Sequence, residues 1–360
     1  MIGRANLGSY TQDDFNQVID AHERYVGGLR RGRRAVLRFG EARGVNFSKR
    51  QMADSDFTGT NFQGAAMAGA CFDRASLHFA DLRNVDALGA SFIAADMRGV
   101  SLRNANLLGA NLDDADLGEA VLAIRQGANT YELAPRGASG AGGGVPLSVD
   151  FTGCTMKQAR LVNANLRRAN FSGALLNGAD LMGAELAGAR LDGAVLSGAI
   201  LDRAVIDPAA LARCVLDPTP AAIRKVPELL DRLEAAEIWV RTEGAEGRMA
   251  MLDGEDLRPL GSALQGRSLS ALSARGACAI GVSFAGAQLQ GARLDGADLR
   301  DADFTDADLR GASLQGAKLR HARFTRADIR PLPLISGGAR QVDLGGADHA
   351  DDCFALSRDA

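Results

Sequence analysis

An apolar residue recurs every five positions through most of this chain, and that regularity narrows the choice of fold more than any other feature. From Phe47 the series runs Met52, Phe57, Phe62, Met67, Phe72, Leu77 and Leu82, then from Phe92 to Leu122, with only Ala87 breaking it. A second run spans Phe151 to Leu216, and a third spans Leu264 to Leu334. Two positions before each apolar centre stands a small residue, as in Ala105-Asn106-Leu107 and Ala115-Asp116-Leu117. Of 45 such units, 42 have Leu, Phe, Met or Ile at the centre and 31 have Ala at the small position, so the frame is kept too strictly for coincidence.

A period of five fits neither a helix, at about 3.6 residues per turn, nor a flat strand, at about 2. It fits a solenoid in which each unit is one short side ending in a corner. The centre and the small residue point inward, and the other three positions face solvent. Only small side chains fit beside large ones in so narrow a bore. Gly59, Gly64, Gly69, Gly109 and Gly183 follow their centres where a corner needs permissive backbone. The phenylalanines set the number of sides. Phe72 and Phe92, Phe151 and Phe171, and Phe284, Phe304 and Phe324 are spaced by 20 residues, or four units. Their rings would form a core ladder on one face of a square coil, with coils stacked at about 4.8 Å.

Units such as Ala179-Asp180-Leu181-Met182-Gly183 and Ala297-Asp298-Leu299-Arg300-Asp301 resemble the A(D/N)LXX signature of the pentapeptide-repeat family. The resemblance covers roughly two thirds of the chain. It implies a mainly β fold, the right-handed quadrilateral parallel β-helix. Its best-known members, the quinolone-resistance proteins, mimic DNA by rod shape and negative charge and bind type II topoisomerases such as gyrase. Family members often dimerise end to end, so a homodimer is a further expectation.

The first two runs are out of phase, and Gly137 to Gly144 between them has the composition of a flexible linker. A loop bulging from one continuous β-helix is the favoured reading. Thr11 to Arg31 reads as an amphipathic helix, with Thr11 capping, Asp14 three residues on, and Phe15, Val18, Ile19, Val26 and Leu29 as its apolar stripe. A second helical stretch opens at Thr219-Pro220 and is split by Pro227. At an offset of 214, Glu23, Val26, Arg34, Gly40 and Glu41 match Glu237, Val240, Arg248, Gly254 and Glu255. The expected organisation is therefore a duplicated module. A helical cap (1–40) precedes a first β-helix (41–216) with a loop insertion at about 123–148. A second cap or connector (217–250) precedes a second β-helix (251–360) with a frayed tail. Helices at the ends would cover exposed core and unpaired backbone.

Composition excludes several function classes. With 46% hydrophobic residues and a net charge of −3, the chain is neither disordered nor strongly polyanionic or polycationic. No run approaches the ~18–20 apolar residues of a membrane span, and the first ten residues lack a signal-peptide core. Five scattered cysteines without a CxxC pair (Cys71, Cys154, Cys214, Cys278, Cys353) suit reduced thiols in a cytoplasmic protein. They fall within the repeat grammar, as structural residues rather than nucleophiles. Asp348-His349-Ala350-Asp351-Asp352-Cys353 contains metal-ligand residue types without the spacing of a known site and reads as a solvated tail. No catalytic residue, cofactor or metal is expected, and the chain reads as not an enzyme.

Charge is distributed unevenly. Residues 21–50 hold nine Lys/Arg against two Glu, including Arg30, Arg31, Arg33 and Arg34, whereas residues 51–122 hold ten acidic against four basic residues. The arginines are the candidate partner-binding residues, unless they simply bridge to aspartates of the first coil. Arg30 to Arg34 with Asn46-Phe47-Ser48 is also loosely similar to the signature of PilZ-type cyclic-dinucleotide binders, but departs from it at Gln51. With few aromatics nearby, sequence-specific nucleic-acid binding is not expected. The leading functional expectation is a non-catalytic scaffold for an unknown protein partner. The alternatives are a DNA-mimicking topoisomerase binder and an anionic partner held by Arg30–Arg34.

Overall fold

The computed structural model describes residues 11–102, 105–118, 149–335 and 337–349, Phe354, Ser357, and the backbone of 123–125 and 131–133. The chain divides into two compact units, Met1–Asp217 and Pro218–Ala360, each with its own apolar core. Both are built as right-handed quadrilateral β-helices.

Each five-residue side bonds in parallel to the side one coil further on. Phe57 N–H donates to Ser76 O at 2.8 Å, and Ser76 N–H donates to Ser55 O at 2.9 Å. One such ladder runs Val36, Asp56, Ser76, Asp96, Asp116, Arg160, Asp180, Ile200. Every step in it except Asp116 to Arg160 is 20 residues, so four sides close one coil. Corners are β-turns: Ala65 N–H donates to Phe62 O at 2.8 Å, with Gly64 between them left-handed at φ 71°. That third turn position is one glycine adopts without steric cost. The Asp or Asn before each centre holds the corner from the side. Its carboxyl or amide oxygen accepts the backbone N–H two residues on, as in Asn61 from Gln63 (3.1 Å) and Asp303 from Thr305 (3.0 Å).

The phenylalanine ladders stack as the spacing predicts. Phe72–Phe92, Phe151–Phe171, Phe284–Phe304 and Phe304–Phe324 have ring centroids 5.6, 4.9, 4.9 and 5.1 Å apart and near-parallel planes. The start of the first unit packs differently. There Phe47, Phe57, Phe62 and Phe72, one from each side of the coil, meet edge to face and fill the bore.

In the first unit, α1 (Gln12–Val26) begins at a capping box formed by Thr11 and Asp14 and buries Phe15, Ile19 and His22 against the first coil. Phe15 meets Phe47 edge to face, 6.0 Å between centroids. The helix is shorter than Thr11–Arg31 because Gly27 and Gly28 end it. Consequently Val26 and Leu29 lie exposed, not on the buried stripe. The ladder steps from Asn106 to Asp150, Asn111 to Thr155 and Asp116 to Arg160, so the same β-helix continues across the phase break. β1 (Ala123–Arg125) and β2 (Tyr131–Leu133) pair antiparallel within that insertion; Gly137 to Gly144 lie outside the described residues. Near the end of the unit a helical turn, α2 (Pro208–Leu211), capped by Asp207, replaces one side.

In the second unit, α3 (Pro220–Arg224) is capped by Thr219, and α4 (Val226–Arg241) carries Pro227 in its first turn. Leu229, Leu233 and Ala236 of α4 are buried in the core of that unit. These sit 214 residues after Phe15, Ile19 and His22. Beyond the helix the register slips: Ala35 and Leu37 correspond in environment to Ala250 and Leu252, an offset of 215. The sequence matches Arg34–Arg248, Gly40–Gly254 and Glu41–Glu255 are therefore one residue out. The first coil then gains two residues at the turn Arg258–Leu260, its ladder stepping from Met251 to Ser273.

The third run also needs correction. Leu334 is not a repeat centre: after Ile329 the chain leaves the coil as a hairpin of β3 (Leu332–Pro333) and β4 (Ala339–Arg340). The coil resumes where Asp343 bonds to Ser313 and Asp348 to Lys318, and Phe354 then lies 4.3 Å from Phe324. The sides that hold Asp343 and Asp348 are thus paired in the ladder, and most of the expected frayed tail beyond His349 lies outside the described residues.

Candidate functional site

The side walls are coated with ion pairs, and the repeat dictates how. An Asp before the centre and an Arg after it lie on one outer surface, giving forked pairs such as Arg83–Asp81 (2.5 Å), Arg98–Asp96 (2.7 Å), Arg300–Asp298 (2.7 Å) and Arg310–Asp308 (2.7 Å). Other pairs bridge successive coils: Arg74–Asp54 (2.8 Å), Arg323–Asp303 (3.0 Å) and Arg326–Asp306 (2.5 Å). The carboxyls respond. Burial alone would raise the Asp253 carboxyl, but hydrogen bonds from Arg275 and Ser273 hold it down to about 2. Six of the nine aspartates in the acidic stretch 51–122 are paired in the same way. Asp56 pairs with Arg38, Asp113 with Lys157 and Asp116 with Arg160, besides Asp54, Asp81 and Asp96 above.

The candidate arginines lie together in the turn behind α1. Arg30, Arg31, Arg33 and Arg34 are all exposed. Arg34 donates from Nε to the backbone oxygen of Asp54. Among the described residues Arg30, Arg31 and Arg33 have no ion-pair partner. The bridging expected of the basic segment is instead made by Arg38 to Asp56 and by Arg50 to Asp20 and Glu23. The turn is held firmly: Leu29 N–H donates to Arg24 O (2.8 Å), Gly32 N–H to Leu29 O (3.1 Å) and Arg33 N–H to Ala21 O (2.8 Å). Asn46 and Ser48 form an ordinary corner bond, Ser48 N–H to Asn46 Oδ1 at 2.9 Å, so the PilZ-like spacing reflects the repeat.

Two functional groups escaped the sequence reading. His22 is completely buried under α1; its Nδ1 accepts from Ala35 N–H and its Nε2 faces Ala53 O, each at 2.9 Å. Those partners require a neutral ring protonated at Nε2, and burial lowers its pKa. The second is a matched pair of buttresses. Arg50 occupies the inward small position and reaches Glu23 of α1 (2.9 Å), while Arg267 occupies the same kind of position and reaches Glu237 of α4 (2.7 Å). The signal was visible as an Arg where the frame wants Ala, once near the start of each unit.

The four described cysteines hold structural positions in the repeat frame. Cys154 is fully buried, its thiol donating to Leu107 O, and burial raises the Cys71, Cys154, Cys214 and Cys278 thiols. Cys353 and most of the Asp348–Cys353 cluster lie outside the described residues. Among the described residues no three His, Cys, Asp or Glu side chains come together as a metal site, and no helix is long and apolar enough to cross a membrane.

A family model described as pentapeptide repeats matches residues 33–72, 51–86, 88–122, 148–181, 179–216, 268–306 and 302–330. The chain belongs to the pentapeptide-repeat family. No curated protein matches it. Among solved structures, HetL, involved in heterocyst differentiation regulation in the cyanobacterium Nostoc sp. strain PCC 7120, is 21% identical over 90% of this chain and 89% of its own, with a TM-score of 0.20. A pentapeptide repeat protein of the Arabidopsis thaliana thylakoid lumen is 22% identical over 44% of this chain and 76% of its own, also at 0.20. QnrB1, a plasmid-mediated fluoroquinolone resistance protein, is 13% identical over 88% and 91%, at 0.17. At such identities and scores these likenesses say nothing of function.

Proposed function

We propose that the protein is a non-catalytic interaction scaffold whose flat, ion-paired sides dock a protein partner. The observation that carries this reading is the filled bore. Stacked Phe, Leu and Ala occupy the interior of both units, so recognition falls to the outer faces, where the repeat sets side chains in ordered columns. We further propose that α1 and α4 are dedicated end caps of a duplicated module, supported by their shared burial pattern and Glu–Arg buttresses. The test is cross-linking of the tagged full chain in lysate of its source cells, read by mass spectrometry. The reading expects one protein cross-linked at fixed stoichiometry through Lys49, Lys157 or Lys318. Cross-links only between copies of this chain would overturn it.

A second reading, an anionic partner at Arg30–Arg34, is favoured by the exposed Arg30, Arg31 and Arg33, which have no carboxylate partner among the described residues. The DNA-mimic alternative fares less well. It needs a continuous row of unneutralised carboxylates, and in 51–122 most aspartates have a cationic partner. The expected outcome is that the purified protein leaves supercoiling by gyrase unchanged.

A further inference from the structure

We infer that the C-terminal end of α1 and the turn behind it form a docking patch for an anionic lipid bilayer, an inference that rests on the anionic-partner reading above. Residues 24–34 carry Arg24, Arg30, Arg31, Arg33 and Arg34 and no acidic residue. On the side walls most arginines have an aspartate two residues or one coil away, with Arg43, Arg167, Arg168, Arg203 and Arg293 as isolated exceptions among the described residues. Here Arg30, Arg31 and Arg33 have none among the described residues, although the sequence repeatedly provides the device. An exposed cluster of planar guanidinium groups of this kind matches phosphate geometry.

The apolar side chains choose between polyanions. Tyr25, Val26 and Leu29 stand among the arginines at 46%, 41% and 63% exposure. A single-stranded nucleic acid would be met by several stacking rings and a duplex backbone by charge alone, whereas this patch offers one ring and two aliphatic chains among its arginines. An acidic peptide would be met by a groove, whereas every residue from Arg24 to Arg31 is exposed, as on a protruding knuckle. A bilayer suits both features, with headgroup phosphates for the arginines and the acyl boundary for Leu29, Val26 and Tyr25. The knuckle is also preformed. A Cβ on Gly32 would lie 2.4 Å from the backbone N of Tyr25, so the turn is packed onto the helix end and little ordering is left to binding.

The experiment is co-sedimentation of the full chain with vesicles of phosphatidylcholine alone or mixed with phosphatidylglycerol, alongside retention on a heparin column. The expected result is sedimentation only with phosphatidylglycerol vesicles, weakening with salt, and falling roughly fivefold for each of Arg30→Gln, Arg31→Gln and Arg33→Gln. Leu29→Ser keeps every charge and should weaken vesicle binding while leaving heparin retention intact. These residues are exposed, and an unchanged melting temperature verifies the fold of each variant. Arginine-dependent heparin retention without vesicle binding would overturn the bilayer and leave an anionic partner standing. Loss of neither on arginine substitution would overturn both. Vesicle binding displaced by millimolar inorganic phosphate, or indifferent to Leu29→Ser, would assign the site to phosphate alone and overturn the inserted patch.

Discussion

Phe39 and Phe79 each hold a left-handed backbone, at φ 53° and 56°, where a bulky residue is strained. Their rings lie over Gly59 and Gly99, one coil on, where an added Cβ would sit 2.3 and 2.4 Å from the ring. Gly99→Ala should therefore destabilise the first unit by about 1–3 kcal/mol, and Phe79→Ala should relieve much of that cost. A double-mutant cycle from denaturant melts measures the coupling; simple additivity would contradict the contact. His22 sets a second test. Arg34, Asp54 and the Tyr25 ring surround it, and its folded pKa lies below the ordinary value of about 6.5. The unfolded chain thus takes up a proton that the folded chain resists. The stabilisation is complete above about pH 6.5 and fades as pH falls towards the lowered folded value. In the second unit Ala236 stands at the corresponding place. Amide exchange in α1, corrected for intrinsic rate, should accelerate between about pH 7 and 5, whereas α4 should not. Equal responses in the two helices would refute the assignment.

At the scale of elements, the repeat was legible because its period is geometric: within a side, a shift of the five-residue frame would put an apolar centre into solvent. Ring stacking at Phe284, Phe304 and Phe324 followed from spacing alone. What escaped were features that the period does not encode. Leu334 keeps the five-residue phase by chance, and only the rung from Ser313 to Asp343 reveals the hairpin. The burial of His22 depends on where α1 crosses the coil, which no local pattern specifies. The arginine cluster was readable as charge, but its lack of partners required the ladder of aspartates to be in view. The Arg–Glu buttresses permit a direct test. Arg267 is mostly covered and hydrogen-bonded to Glu237 and to Ala263 O, so removing its charge partner leaves a poorly solvated cation. Glu237→Gln should cost about 1–3 kcal/mol in the second unit, and Arg267→Ala should not restore it, since Arg267 also ties down Ala263. A melt showing no loss for Glu237→Gln would remove the buttress from the account.

At the scale of the molecule, two self-contained solenoids lie on either side of Asp217, each beginning under a helix. Open solenoid ends expose core and unpaired backbone, and such edges favour uncontrolled association. Both functional readings presuppose that this is prevented, so that the sides and the arginine knuckle are the surfaces left to act. Capping by α1 and α4 is thus the central claim. Its most direct test is native-state hydrogen exchange of the full chain in rising denaturant, resolved by mass spectrometry. The account predicts that amides of 12–26 open together with the first-coil segment 37–57, and those of 226–241 together with 252–274. Helices that exchange like unprotected chain while the coils beneath them stay protected would contradict it.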